Sequence, residues 1–88
     1  MEKLLSLLNA SDDIVFNVNI FLEDDTIMLT NAKFTVYDYY DEDDHICLVQ
    51  DNGAALILPK DGCVYFEDEE GDNWRFKQRD IEAYIYEE

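Results

Sequence analysis

Basic side chains are scarce in this sequence. Six lysines and arginines and one histidine stand against 22 aspartates and glutamates. Bare DNA, RNA and anionic membranes are therefore excluded as direct ligands unless a local basic patch intervenes. Cysteine is also sparse, and its two copies, Cys47 and Cys63, each sit in an apolar strand-like segment. Two buried thiols without a secretory signal fit a reducing cytosol better than a disulfide framework, although a Cys47–Cys63 bridge between neighbouring strands stays open. Long apolar runs are missing, the longest being Ile14–Phe16 and Ala54–Leu58. Neither approaches the roughly 18 residues that a membrane-crossing helix needs. The leucines near the N-terminus are interrupted by Ser6 and followed by Asp12-Asp13 with no plausible cleavage site, so they read as a short amphipathic helix rather than a signal.

What is present is acid and hydrophobe together. A net charge of −16 coexists with 48% hydrophobic residues, including one Trp, six Tyr and five Phe. That composition is globular rather than disordered. Eighty-eight residues allow one domain, spanning 1–88, with a thin core. The charge exceeds the magnitude of about 2–8 that solubility alone asks of a small domain, and it repels itself.

Along the chain, Leu4, Leu5, Leu7 and Leu8 predict a helix within residues 1–11. From Ile14 the hydrophobic period becomes two, and residues 14–86 read as an antiparallel β region. Strands are expected at 14–22, at 26–37 with a bend near Asn31-Ala32, and at 45–50. Further strands are expected at 54–58, 63–66, 74–77 and 81–86. Residues 38–44 read as a long acidic connection. Asn52-Gly53 and Pro59-Lys60-Asp61-Gly62 carry strong turn signals. No repeat or linker interrupts the chain. The fold class is mainly β (α+β): a short N-terminal helix, then a strongly bent antiparallel sheet or small barrel of about five to seven strands.

Candidate chemistry is thin. His45 is the one side chain suited to general base work at neutral pH, and it shares a strand face with Cys47. No oxyanion-hole motif or third orienting group accompanies them, so they read as a strand-edge histidine and a buried thiol. A zinc site from His45, Cys47 and Cys63 lacks the paired knuckle spacing, and the acidic runs lack the calcium-loop alternation. No catalytic residue, metal or cofactor is expected. Arg75, Lys77 and Arg79 recur every second residue, opposite Trp74, Phe76 and Gln78. This stripe reads first as neutralising Glu67–Asp72 or Glu82 across the sheet, and second as a small site for a phosphate or an acidic partner.

The acids carry the functional reading. They cluster at Asp12-Asp13, Glu23-Asp24-Asp25, Asp38 with Asp41-Glu42-Asp43-Asp44, Glu67-Asp68-Glu69-Glu70 with Asp72, and Glu87-Glu88. Most fall at turns, from which they project off a rigid frame. Strands advance about 6.6 Å per two residues and DNA carries a phosphate about every 3.4 Å per strand, so fixed carboxylates can approximate a phosphate row. Tyr37, Tyr39, Tyr40 and Tyr65 could anchor such an interface. In a simple up-and-down sheet, the turns at 23–25, 51–53 and 67–72 would share one end and form the densest negative patch. Residues 41–44 would then stand apart as a second arm near Lys60.

Two resemblances follow. Residues 18–66, beginning Val18-Asn19-Ile20-Phe21-Leu22-Glu23-Asp24-Asp25 after an N-terminal helix, resemble the Sm-like or SH3-like small barrels, with Asp25 where the Sm family prefers glycine. None of that family's RNA-contacting positions has a counterpart here. In size, charge and clustered acids with tyrosines, the whole chain resembles the small acidic anti-defence proteins of phages, including anti-CRISPR proteins and DNA mimics. That resemblance implies a cytoplasmic, non-enzymatic inhibitor of a basic nucleic-acid-binding protein such as a CRISPR nuclease. Its contacts would be Glu23, Asp24, Asp25, Asp41, Glu42, Asp43, Asp44, Glu67, Asp68, Glu69, Glu70, Asp72, Tyr39 and Tyr40. The alternative is a small-barrel protein–protein interaction module, with an oligomer open to it, whose acids serve solubility.

Overall fold

A computed structural model describes residues 1–69 and 71–88. The leucine-rich start forms helix α1 (Glu2–Ala10), which buries Leu4 and Leu8 and ends where Ser11 turns extended. No side chain caps its first turn, so packing rather than capping holds it. No described helix is long and apolar enough to cross a membrane.

Eight antiparallel strands follow: β1 (Val15–Leu22), β2 (Ile27–Thr35), β3 (Asp38–Asp41), β4 (His45–Val49), β5 (Ala55–Pro59), β6 (Val64–Asp68), β7 (Gly71–Gln78) and β8 (Ile81–Glu87). The expected helix-then-strands order stands. The strand count rises to eight, in two sheets, for a reason visible at residues 38–41. That acidic connection is itself a strand, with Tyr39 opposite Leu48 and Tyr40 opposite Cys47. Two tyrosines in succession suit a half-buried pleat well enough to outweigh the flanking aspartates.

The larger sheet runs β2-β1-β8-β7-β6 and the smaller runs β3-β4-β5. Val18, Ile85, Trp74 and Tyr65 stand in one cross-strand row of the larger sheet. This face shares a single core with Ile46, Leu48 and Leu58 of the smaller sheet and with Leu4 and Leu8 of the helix. Phe16 meets Trp74 edge to face at 6.2 Å.

The expected bend in β2 is a bulge. Val18 pairs with Ala32 but Ile20 pairs with Leu29, so β2 carries an extra residue. Asn31 adopts φ +51° there. The Asn19 carboxamide oxygen reaches across to accept from the Asn31 amide at 2.9 Å and the Thr30 hydroxyl at 3.1 Å. A neighbouring side chain thus satisfies the groups that the bulge frees.

The expected grouping of acidic turns at one end does not occur. β1 ends where β8 begins, with Leu22 opposite Ile81 and the Glu23 amide donating to the Asp80 carbonyl at 2.7 Å. The β6–β7 turn lies at the other end of the sheet. There Asp68 faces Gly71, and Asn73 and Asn17 both face Tyr86 near the start of β1. Turn 23–25 and the described residues of 67–72 therefore stand at opposite ends. Counting alternate turns fails because β3–β5 leave for their own sheet and β8 inserts between β1 and β7.

Candidate functional site

The structure distributes the expected contact residues over three places. At the β1–β2 turn, Glu23 and Asp25 are exposed, and Asp24 accepts the Thr26 amide at 3.1 Å. Hydrogen bonds from the Thr26 side chain and amide hold the Asp24 carboxyl below its ordinary range. Asp25 takes φ +68° to close the turn.

At the β3–β4 turn, Glu42 and Asp43 are exposed while their neighbours are engaged. Asp41 pairs with Lys60, and Asp44 meets His45 Nδ1 at 2.6 Å. That hydrogen bond, then the charges of His45 and Lys60, lower the Asp44 carboxyl. Tyr40 is exposed, and its phenol is pushed up by the nearby Asp38 charge and a hydrogen bond to it. Tyr39 is half-buried and donates its hydroxyl to the Asn9 carboxamide, so it holds the helix rather than standing free.

At the β6–β7 turn, Glu67, Asp68 and Glu69 are exposed, whereas Glu70 lies outside the described residues. Asp72 accepts the Tyr65 hydroxyl and pairs with Lys3 at 3.6 Å. Both Asp72 and Tyr65 are thereby tied to the helix. The basic stripe also resolves. Lys77 pairs with Glu82 at 3.8 Å, as cross-sheet neutralisation requires. Arg79 leaves the stripe for a turn at φ +59°. Trp74 and Phe76 are buried on the opposite face.

A different set of acids converges. The Val36 amide donates to the Ile14 carbonyl and the Tyr37 amide to the Val49 carbonyl, each at 2.8 Å. These two bonds sew the exit of β2 between the start of β1 and the end of β4. Asp12 and Asp13, Tyr37, Asp38 and Tyr39, and Gln50 and Asp51 consequently line a recess of about 770 Å³, floored by Leu8 and Ile14. Four aspartates and two tyrosines line it, with no lysine, arginine or histidine among the described lining residues. Tyr37, 75% exposed, forms its rim. Asp12-Asp13 and Asp38 are visible as acid clusters in the sequence. Their meeting with Asp51 depends on the 36–37 bridge, which no local pattern signals.

Elsewhere chemistry is sparse. Cys47 and Cys63 are free thiols. Among the described residues, no three histidine, cysteine or acidic side chains assemble into a metal site. No family model matches the chain, and neither does any curated protein or solved structure.

Proposed function

We propose that this chain is a non-enzymatic binding protein that takes up a basic segment of a partner protein. The carrying observation is the recess lined by Asp12, Asp13, Asp38 and Asp51, with Tyr37 and Tyr39 as aromatic walls and no base among them. Like charges gathered on a low-dielectric wall raise the local concentration of cations and speed encounter. Tyrosine adds rigid contact area and a face on which guanidinium stacks. The net charge of −16 supports a partner surface selected to hold phosphates, which makes a basic nucleic-acid-binding protein the favoured target class.

The test is a competition. A lysate pulldown is run at about 50 mM and about 500 mM salt, over which exposed ion pairs are screened. The captured protein is then purified and challenged with duplex or single-stranded nucleic acid at fixed ionic strength. Capture should be lost at high salt, lost with Asp12→Asn, Asp13→Asn, Asp38→Asn and Asp51→Asn together, and reversed by nucleic acid. A partner that keeps its nucleic acid while bound sinks the mimic reading and leaves a plain interaction module. A partner indifferent to the four asparagines sinks the recess as the site.

A further inference from the structure

The outer face of the larger sheet carries a second recess, of about 400 Å³, whose lining is unlike the acidic one. It follows β8, where Glu82, Tyr84 and Tyr86 project from one face at every second residue, over about 13 Å of strand. The neighbouring strands add Asn19 and Phe21 on one side and Asn73 on the other, and Asp25 stands at the end. Phe21 and Tyr84 pack edge to face, 5.9 Å apart at 72°, so the floor is two rings held at an angle.

The polar groups are held in place before any ligand arrives. Asn19 donates to Asn17 Oδ1 at 2.7 Å and accepts from Thr30 and Asn31. Asn73 is nearly buried and donates to the Gly71 carbonyl at 3.1 Å. Tyr84 donates to Glu82 at 3.0 Å.

The charges narrow the ligand class. Asp25 and Glu82, within a molecule of charge −16, weigh against an anion, although Arg75 and Lys77 stand opposite Tyr84 and Glu82 on the same face. A cation gains little, because Lys77 already pairs Glu82 and the Arg75 side chain lies against the Tyr84 hydroxyl. A wholly apolar ligand would strip water from two carboxylates and two carboxamides and return no hydrogen bond for it. A neutral polyhydroxylated ring meets none of these penalties. Its C–H face covers the aromatic rings, and its hydroxyls, which both donate and accept, replace the water lost from the carboxamides and carboxylates.

We infer that this open, aromatic-floored groove on β1, β8 and β7 binds a neutral oligosaccharide. The site is distinct from the acidic recess and does not depend on it. The probes are cellohexaose, maltohexaose and chitohexaose, titrated separately into the labelled full chain and followed by amide NMR. At least one should produce saturable shifts confined to residues 17–21, 73–75 and 82–86, including the Asn19 and Asn73 carboxamides. Tyr84→Ala with Tyr86→Ala should weaken that binding roughly tenfold or more. Should that pair fail to fold, Tyr86→Leu keeps the bulk without the ring and should show the same loss at unchanged melting temperature. Asp12→Asn with Asp51→Asn should leave it intact. Three inert oligosaccharides overturn the inference, as do shifts given by tetramethylammonium or adenosine monophosphate but by none of the sugars.

Discussion

At the residue scale, Tyr65 shows how this acidic chain uses its few bases. Its hydroxyl donates to Asp72 and accepts from Lys3 Nζ at 2.9 Å, while the same ammonium lies 4.6 Å from its ring centre. One lysine thus fastens helix α1 to β6 and β7 through a carboxylate, a phenol and a π face. The hydrogen bond to Asp72 pushes the Tyr65 phenol up, and Lys3 is raised chiefly by its bond to Tyr65. Both groups hold their protons more tightly folded than unfolded. Their stabilising contribution is therefore complete below their ordinary values, about pH 10, and is lost as pH rises through the folded values. Tyr65→Phe should accordingly melt below the wild type at pH 7, with the gap narrowing once pH is raised past about 10, the ordinary phenol value. Thermal melts of both proteins on either side of that value decide it. A gap that stays constant would show that the phenol does not couple to the clamp.

Side-chain direction was largely legible at this scale, because strand parity needs no tertiary information. Trp74 and Phe76 point to the core and Arg75 and Lys77 away from it, as alternation requires. Asn19 was not legible. Its role is to accept from a bulge on the neighbouring strand, which exists only once β1 and β2 are in register.

At the element scale, turns marked by Gly and Pro were read correctly, since their chemistry is local. Asn52-Gly53 and the 59–62 segment both turn the chain where expected. The two glycines nonetheless differ. Gly53 takes φ +88° in open space, whereas Gly62 takes φ +84° with its absent Cβ 2.9 Å from the Lys77 carbonyl oxygen. An alanine at Gly53 meets only the left-handed backbone cost, about 1–2 kcal/mol. At Gly62 the same change also pushes β7 away from the turn, so roughly 2–4 kcal/mol is expected. Urea unfolding of Gly53→Ala and Gly62→Ala compares them directly, and equal midpoints would mean that the turn yields without disturbing β7. β3 escaped the sequence because its pairing partner decides it. Asp38-Tyr39-Tyr40-Asp41 reads as loop by charge and as strand only beside Ile46–Val49.

At the scale of the whole molecule, topology decides which acids act together. The chain's five acid clusters do not gather at one end, because a separate three-stranded sheet and the central return of β8 break the alternation of turns. Many expected contact acids are also structurally engaged: Asp24 with Thr26, Asp41 with Lys60, Asp44 with His45 and Asp72 with Tyr65. The recess acids can be neutralised without losing such contacts. Asp38 accepts the Tyr39 amide at 2.8 Å and Asp13 takes φ +58°, and both are roles that asparagine fills equally well. Changing Asp12, Asp13, Asp38 and Asp51 to asparagine therefore removes four of 16 net negative charges while keeping shape, hydrogen bonding and backbone preference. If those carboxylates serve a partner, the free protein holds them against mutual repulsion, and the variant should be the more stable fold. At about 50 mM salt the gain should be on the order of 0.5–2 kcal/mol, seen as a melting temperature several degrees higher. At about 500 mM salt the gain should shrink, because screening relieves the same repulsion in the wild type. A variant that melts lower at both salt concentrations would mean that these carboxylates hold the fold together. A recess whose charge is needed for folding has no need of a partner to explain it.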